Sequence, residues 1–424
     1  MGALRAIAAM LALTLSPLAS AQPLIVADSG DSAWVLTASM LVLLMAIPGL
    51  GLFYGGLIRS RSRSAMMASG IIITSLVSLI WVVAGYSLTF GEGSVWLGGL
   101  GNLGLTNLVE IREGTTISEI LFVLLQMTFA VFTAALILSA LADRVRLGWM
   151  VGFTALWSLL VYVPVARWVW GGGWLAEQGT LDFAGGIVVH TTAGVAALVI
   201  ALLIGKRRSI AGSITTNGVA VTVVGAGLLW VGSFGFAGGS TFAAGADAAT
   251  AIVNTHLAAS AAALLWLLVR KATKAQSKPV DAVIGAVAGL AAIAPAAGFV
   301  GPVGAIALGA LGSIGAYTAL SVFDRSLRLD GSLHVFAIHG VGGILGSLAF
   351  PVFVLPAFGG PGYDEAVSVG TQLAAQAVGV GAAVLWTAIV SAMLALMVAT
   401  VIPMQASDDM ASEEVKSDGR NGHA

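Results

Sequence analysis

The chain has 424 residues, of which 58% are hydrophobic and only 9% charged, and its formal net charge is −1. Because soluble globular domains carry about 25% charged residues, this composition excludes a soluble globule and indicates an integral membrane protein. The absence of cysteine excludes disulfides, thiolate metal sites and cysteine catalysis, and the small net charge gives no indication of nucleic-acid binding.

The first 21 residues have the pattern of a secretory signal peptide. Arg5 supplies a positive start, residues 6–15 form an apolar core, and Ala19-Ser20-Ala21 is a small-residue cleavage site. The alternative is an uncleaved first membrane span, for which the apolar core is short. We predict cleavage before Gln22.

Eleven apolar runs follow, and each is near the length of about 20 residues that a membrane-spanning helix needs. We predict an all-α membrane domain over residues 22–403, with two inverted five-helix repeats (about 32–204 and 215–353), a long final helix at about 372–402 and a polar, acidic tail over 404–424. The runs lie at about 32–58, 65–90, 117–141, 147–170, 183–204, 217–237, 248–269, 281–299, 301–321, 335–353 and 372–402.

Basic residues mark one side of the predicted bundle. The loops after runs one, three, five, seven and nine hold most of them, whereas the opposite loops hold only Arg112 and Arg167. Since basic loops face the cytoplasm, we predict that the mature N-terminus lies outside, in the periplasm, and that the odd helix count leaves the C-terminus inside. The basic set is Arg59, Arg61, Arg63, Arg144, Arg146, Lys206, Arg207, Arg208, Arg270, Lys271, Lys274, Lys278, Arg325 and Arg328.

Two histidines lie inside apolar, glycine-rich runs: His190 in run five, shortly after Asp182, and His339 in run ten. An imidazole within the hydrocarbon layer is costly and rarely faces lipid. If the two halves are inverted repeats, these histidines lie on corresponding helices near the bilayer midplane, where transporters bind their substrates. A neutral pair would suit a narrow path for a small hydrogen-bonding solute. The alternative is that each histidine is a hydrogen-bonded helix contact without further function.

Other polar and aromatic residues lie near the predicted helix ends. Asp182 fits a helix cap, because the first turn offers free N–H groups and a favourable dipole, and it also fits a negative charge beside a cation path. The aromatic residues fit membrane anchors or a cation–π site; they are Phe129, Trp168, Trp170, Trp174, Trp230, Phe234 and Phe236. We find no partner for His256 and assign no function to it, to His334 or to His423.

The segment from Asp182 to His190 resembles the signature of the ammonium transporter (Amt/Mep/Rh) family, and similar stretches cover nearly the whole mature chain. The bacterial Amt branch is the most similar. The other matching stretches follow the family's order and are residues 47–59 (IPGLGLFYGGLIR), 85–88 (GYSL), 140–144 (ALADR), 169–173 (VWGGG), 234–236 (FGF) and 335–340 (VFAIHG).

The resemblance implies ammonium transport for nitrogen uptake by a homotrimer in the bacterial inner membrane, in which each eleven-helix protomer has its own pore. It implies no cofactor, no metal and no nucleic-acid partner. By motif position it also assigns three groups of residues. They are an outer ammonium site (Trp170, Phe129, Ser240 and Asp182), a stacked phenyl gate (Phe129 and Phe236) and a pore pair (His190 and His339).

The chain departs from the family pattern at several positions. Ala237 replaces the usual Asn after Phe-Gly-Phe, Ala294 replaces a frequent Thr before Pro295, and His334 stands where the family often has an acid. The tail lacks the glycine-leucine-arginine and glycine-leucine-aspartate pattern of bacterial members that PII-type nitrogen signalling proteins block. The resemblance therefore leaves regulation by a PII-type partner on the cytoplasmic face open.

Ammonium transport is the leading hypothesis, and three others remain beside it. An ammonium sensor would use the same fold and signal through the tail. A neutral channel for ammonia or carbon dioxide, as in Rh relatives, would move no net charge. A bis-histidine haem protein would need both imidazoles on one iron. We do not expect an enzyme, because the sequence contains no evident nucleophile–base pair or metal cluster.

Overall fold

The structure is a computed structural model, and it describes residues 26–57, 60–141, 144–205, 216–276, 278–326 and 333–405. The predicted signal peptide, the Lys206–Arg208 cluster and residues 406–424 of the predicted acidic tail lie outside these residues. Within them the chain is helical, and extended backbone pairs only at isolated bridges. The all-α prediction is confirmed.

Within the described ranges, eleven apolar helices, α1 to α11, form the bundle. Ten of them are long and apolar enough to cross a membrane, and α8 is shorter. The predicted helix number and order are therefore confirmed, with five helices in each half and a long final one. Their bounds are α1 Ser29–Leu57, α2 Met66–Phe90, α3 Glu119–Leu141, α4 Leu147–Glu177, α5 Gly186–Ile204, α6 Asn217–Gly239, α7 Ala246–Ala272, α8 Asp281–Ile293, α9 Pro302–Phe323, α10 Phe336–Phe353 and α11 Val369–Ala399.

The eighth helix is shorter than the apolar run that predicted it. It ends at Ile293 instead of continuing to residue 299, because Pro295 has no N–H and its ring clashes with the preceding turn. The irregular backbone that follows keeps its hydrogen bonds, as buried backbone in a membrane must. The Asn254 amide donates to the carbonyls of Ala297 and Val300, at 2.9 and 2.7 Å.

The fifth helix begins at Gly186, three residues later than predicted. The extended segment before it pairs with the irregular end of α8. The backbone N–H groups of Phe183 and Ala184 donate to the carbonyls of Pro295 and Ala294, at 3.1 and 2.9 Å. The backbone N–H groups that precede α5 and the backbone carbonyls that follow α8 are therefore hydrogen-bond partners of one another.

Several helices contain a π-helical turn, an i→i+5 insertion that is often found at functional sites. Both histidines lie on such turns, His190 within Gly186–Thr191 of α5 and His339 within Phe336–Gly340 of α10. The corresponding helices of the two halves thus share the same irregularity. Other π turns are at Met45–Gly49 in α1, Trp81–Gly85 in α2 and Ser158–Tyr162 in α4.

Glycines bring the backbones of α5 and α10 into contact at the centre of the bundle. A Cβ atom at Gly194 would lie 2.4 Å from the Cα of Gly340, and one at Gly343 would lie 2.4 Å from the carbonyl oxygen of Gly186. A larger residue at either position would force the two helices apart. This close approach places His190 beside His339.

Candidate functional site

The two imidazoles predicted as a pore pair are in direct contact. Their Nδ1 atoms are 3.1 Å apart, their ring planes differ by 10°, and the residues are 5% and 2% exposed. A hydrogen bond at this distance needs one protonated and one bare Nδ1 atom. In a neutral pair, the donor ring therefore has a bare Nε2 acceptor, and the acceptor ring has an Nε2–H donor. The pair presents one hydrogen-bond acceptor and one donor.

The same distance argues against the haem hypothesis in this geometry. Metal–nitrogen bonds to histidine are about 2.0–2.1 Å long, so an iron between two Nδ1 atoms would need them about 4 Å apart.

Aromatic rings form a continuous row from one end of the bundle to the histidines. The ring centroids of Trp170 and Phe129 are 5.8 Å apart, and those of Phe129 and Phe236 only 4.3 Å apart. Phe236 and Phe132 then approach the ring of His190, at 6.0 and 6.1 Å. The structure therefore brings together the residues that the family resemblance assigned to the outer site, the gate and the pore pair.

A narrow cavity, the pore cavity, adjoins the histidine pair. The volume open to the centre of a water molecule is about 20 Å³. By this measure, one water molecule needs about 10–15 Å³. Most of its walls are apolar side chains, and both histidines contribute to it. Its hydroxyl groups come from Ser233 and Thr255, which donate to carbonyls of their own helices at 2.7 Å. The cavity is therefore the size of one small molecule and poor in free donors.

The three positions that depart from the family pattern all line cavities. Ala237 and Ala294 lie in the wall of the pore cavity, where they replace an amide and a hydroxyl by methyl groups. His334 lines a second cavity at the basic end of the bundle. The first two departures therefore make the pore cavity of this chain more apolar than the family pattern implies.

Asp182 caps the helix that carries His190, as the sequence indicated. Its two carboxylate oxygens accept hydrogen bonds from four backbone N–H groups, those of Gly185, Gly186, Ile187 and Val188, at 2.6–3.1 Å. The residue is only 6% exposed. Gly185 makes the geometry possible, because its φ of +90° is a conformation that other residues rarely adopt.

The backbone of Asp182 also holds the tryptophan of the predicted outer site. The indole Nε1–H of Trp170 donates to the carbonyl oxygen of Asp182 at 2.7 Å. Both carboxylate oxygens of Asp182 already accept hydrogen bonds from backbone N–H groups. One residue thus connects the start of α5 to the outer aromatic ring.

Two glutamines on α11 support this segment, and the sequence analysis missed them. Gln376 accepts from the N–H of Leu181 at 2.7 Å and donates to its carbonyl at 2.8 Å. Gln372 donates to the carbonyl of Gly179 at 2.9 Å and to Gln376 at 3.1 Å. Both are buried, Gln376 completely. The sequence did contain a signal for this pair: the two amide side chains are four residues apart in an apolar helix, and this spacing places them on one face.

Ser240, assigned by motif to the outer site, lies one turn beyond Phe236 at the end of α6. It is half-buried, and its hydroxyl donates to the carbonyl of Phe236 at 2.9 Å. The hydroxyl hydrogen is therefore used, and the oxygen lone pairs remain as acceptors, which suits an N–H donor.

His256 does have a partner, contrary to the sequence analysis. The indole Nε1–H of Trp230 donates to its Nδ1 atom at 3.2 Å. The pair was missed because the two residues lie on different helices, α6 and α7. His256 is exposed on the side of the protein and contributes nothing to the pore cavity.

Comparison with known proteins gives the family. The family model described as Ammonium Transporter Family matches residues 33–420. The chain belongs to the ammonium transporter family. It is 40% identical over 399 residues to a protein of Aquifex aeolicus named "Ammonium transporter", with 92% of each chain covered.

Solved structures of the family have the same fold. Mep2 of Candida albicans superposes with a TM-score of 0.81 at 34% identity, covering 90% of this chain and 87% of that one. A structure titled "Sensor Amt Protein" superposes with a TM-score of 0.82 at 28% identity, covering 90% of this chain and 95% of that one. The predicted family is confirmed.

Proposed function

We propose that this family member transports ammonium across the cytoplasmic membrane: it recruits the cation at an outer aromatic site, deprotonates it, and passes ammonia along a pore lined by His190 and His339. The observation that carries the proposal is the buried histidine pair, 3.1 Å between Nδ1 atoms, beside a cavity of the size of one small molecule.

Recruitment would occur at Trp170, Phe129 and Ser240. Aromatic ring faces attract small cations, and the Ser240 oxygen has lone pairs free to accept an ammonium N–H. The indole of Trp170 is held in place by its hydrogen bond to Asp182. The buried negative charge of Asp182, close to this tryptophan, adds a further attraction for a cation and none for neutral ammonia.

Deprotonation would follow from the environment behind the gate. Phe129 and Phe236 close the outer end of the path, and an ammonium ion inside the apolar pore cavity would lose its hydration without compensation. Ammonia is neutral and comparable to water in size, so the cavity accommodates it. The released proton is taken up by the bare Nε2 atom of the histidine pair and leaves the pair toward the inner side, while ammonia crosses the cavity as a neutral molecule. Ammonia and the proton thus cross separately, and the net event carries one positive charge.

The family resemblance also extends to assembly and orientation. We propose a homotrimer with one pore per protomer. His256 supports contact between copies: it lies ten residues into α7, about 15 Å along the helix, and is exposed at a depth where an imidazole facing lipid is costly.

The orientation that we propose follows from the basic residues. The end of the bundle that carries the basic loops would face the cytoplasm.

The proposal is tested by current measurements on a solid-supported membrane with proteoliposomes that receive an ammonium pulse. Wild type is compared with the His190→Ala/His339→Ala variant and with His256→Ala, which changes a histidine outside the pore. We expect a saturable transient current in wild type and His256→Ala, and its loss or a loss of selectivity in the double variant. Wild-type behaviour of a correctly inserted double variant would contradict the pore role.

Net charge movement is measured in the same experiment. An ammonium-driven change of internal pH without current would favour the neutral ammonia or carbon dioxide channel. Neither signal from folded, trimeric protein would favour a sensor, an alternative that the likeness to a structure titled "Sensor Amt Protein" keeps relevant.

Truncation after Gln405 separates transporter from sensor. The described helices and every residue of the proposed path lie before the removed segment, so we expect the truncated protein to retain wild-type initial transport in proteoliposomes. A sensor would lose its ammonium-dependent output in cells while retaining binding. The tail with its five acidic residues replaced by Asn or Gln is the length-matched control.

A further inference from the structure

A second cavity lies at the basic end of the bundle, and no step of the proposed transport cycle uses it. It offers about 170 Å³ to the centres of water-sized molecules, far more than the pore cavity. We call it the basic-end cavity. Ile284 and His334 line it, one to two turns from the pore-cavity residues Val287 and His339 on the same two helices. It therefore lies next to the basic end of the proposed pore.

Cations predominate among its charged residues. Arg270 and Lys278 both line it, whereas its acid within the described residues is Asp281. The Arg270 Nε and Asp281 Oδ2 atoms are 3.0 Å apart, although this N–H is not directed at the oxygen. Asp281 Oδ2 also accepts the backbone N–H of Lys278 at 2.6 Å. Among the residues that the structure describes here, Asp281 thus offsets one cation, and the exposed Lys278 leaves an excess of positive charge.

A residue in the wall of the same cavity, Trp266, carries an unpaired donor that is itself buried. Trp266 is 3% exposed, and its indole Nε1–H has no hydrogen-bond partner among the described residues. A buried N–H without a partner costs free energy, and it is explained where a ligand supplies the acceptor. The ring of the neighbouring Tyr317 packs edge-on against the indole, with centroids 5.5 Å apart, and its hydroxyl is hydrogen-bonded to Thr273 at 2.8 Å.

We propose that the basic-end cavity binds a phosphate group. The residues that carry possible donors come from α7, α9 and the segment before α8, and they differ in kind: the indole of Trp266, the guanidinium of Arg270, the ammonium of Lys278 and the hydroxyl of Ser321. The Arg270 guanidinium also donates to the carbonyl of Gln276 and lies beside Asp281. A tetrahedral oxyanion carries acceptors in all these directions, and its charge balances the excess cation. Free phosphate and the phosphate of a lipid headgroup share this chemistry. The site goes beyond ammonium transport and does not depend on it.

Binding is tested without any transport assay, so its failure is distinguishable from failure of the proposed function. Radiolabelled inorganic phosphate is titrated by equilibrium dialysis against the full-length protein in detergent, stripped of lipid, at constant ionic strength. Four proteins are compared: wild type, Lys278→Gln, Trp266→Phe and Lys271→Gln. Lys271 is exposed at the same end of α7 and lies outside the cavity, which makes its variant the matched control.

We expect saturable binding of one phosphate per chain to wild type and Lys271→Gln. Lys278→Gln and Trp266→Phe each remove one donor and should weaken binding by about fivefold or more. The Phe variant keeps the ring, and a thermal unfolding curve checks that each protein is folded. Equal affinity in all four proteins, or no saturable binding by the stripped protein, would overturn the proposal.

The source of the phosphate group is distinguished in lipid nanodiscs. In nanodiscs of phosphatidylcholine alone, a site for free phosphate should retain the affinity seen in detergent. If an anionic lipid headgroup fills the cavity, added phosphatidylglycerol should abolish phosphate binding by wild type. Both results support a phosphate-group site. Loss of binding in both kinds of nanodisc would also assign the site to a lipid headgroup, because phosphatidylcholine carries a phosphate as well; the proposal itself is decided by the titration in detergent.

Discussion

Asp182 contacts both the tryptophan of the proposed outer site and the first turn of the helix that carries His190. Its carboxylate orders the first turn of α5, and its carbonyl fixes the indole of Trp170. A capping residue usually satisfies one or two N–H groups, whereas this one satisfies four. The π turn that follows leaves more N–H groups without an intrahelical partner, and His190 lies on that turn. The charge of Asp182 is therefore a structural requirement, separate from the attraction for cations that we propose.

Replacing Asp182 by Asn should affect stability and ammonium recruitment together. The amide keeps one acceptor oxygen but directs an NH₂ group at backbone N–H donors, so the charged hydrogen bonds are lost, at about 1.5–3 kcal/mol each. We expect a lower unfolding temperature and a higher half-saturating ammonium concentration. Asp247→Asn, an exposed acid in the first turn of α7, is the control and should match wild type. Wild-type values for Asp182→Asn would disprove both roles.

The pore role of the histidine pair can also be tested by changing His190 alone. His190→Ala leaves the Nδ1 of His339 without its partner in an apolar surrounding, a cost of about 1–3 kcal/mol. We expect ammonium-dependent transport to fall by about tenfold or more, while the protein still inserts and elutes as a single species. His256→Ala removes an imidazole from the side of the protein, outside the pore cavity, and should leave transport through each protomer unchanged. Transport by His190→Ala at the wild-type rate would contradict the pore role.

Helix α11 acts as a support for the extended segment between α4 and α5. Gln376 replaces the backbone partners that Leu181 would have in a helix, and Gln372 and Gly179 continue the same contact. Backbone groups buried in a membrane must be satisfied by some part of the protein. The long final helix therefore has a function in shaping the outer site, in addition to covering the bundle.

The contribution of Gln376 can be measured against a neighbour on the same helix. Gln376→Leu removes two hydrogen bonds to Leu181 and leaves a buried N–H and C=O unpaired, at about 1–3 kcal/mol for each group. We expect a clearly lower unfolding temperature and a raised half-saturating ammonium concentration. Gln376→Glu, which retains the acceptor, should recover part of both. The control is Thr387→Val, because Thr387 is fully buried and its hydroxyl has no hydrogen-bond partner among the described residues. Equal effects of the Leu and Val substitutions would contradict the assigned contact.

The number and order of helices could be predicted because lipid requires long apolar segments and permits few alternatives. The cap at Asp182 could be predicted because it depends on local residues. The partners of Gln376 and the end of α8 could not, because they depend on contacts between segments far apart: Leu181 and Gln376 are 195 positions apart. Single π turns leave no periodic signal in the sequence, so the common irregularity of α5 and α10 became visible only in three dimensions.

The orientation of the whole molecule is a prediction that this chain allows to be tested directly. It contains no cysteine, so a single introduced thiol is the only target of a membrane-impermeant maleimide. Glu110→Cys lies on the long loop between α2 and α3, where residue 110 is exposed, and Ala275→Cys follows α7 among the basic residues. If basic loops face the cytoplasm, intact spheroplasts should be labelled at position 110 and protected at 275, and lysis should expose both. Labelling of position 275 alone in intact spheroplasts would reverse the bundle, and the outer aromatic site would then face the cytoplasm.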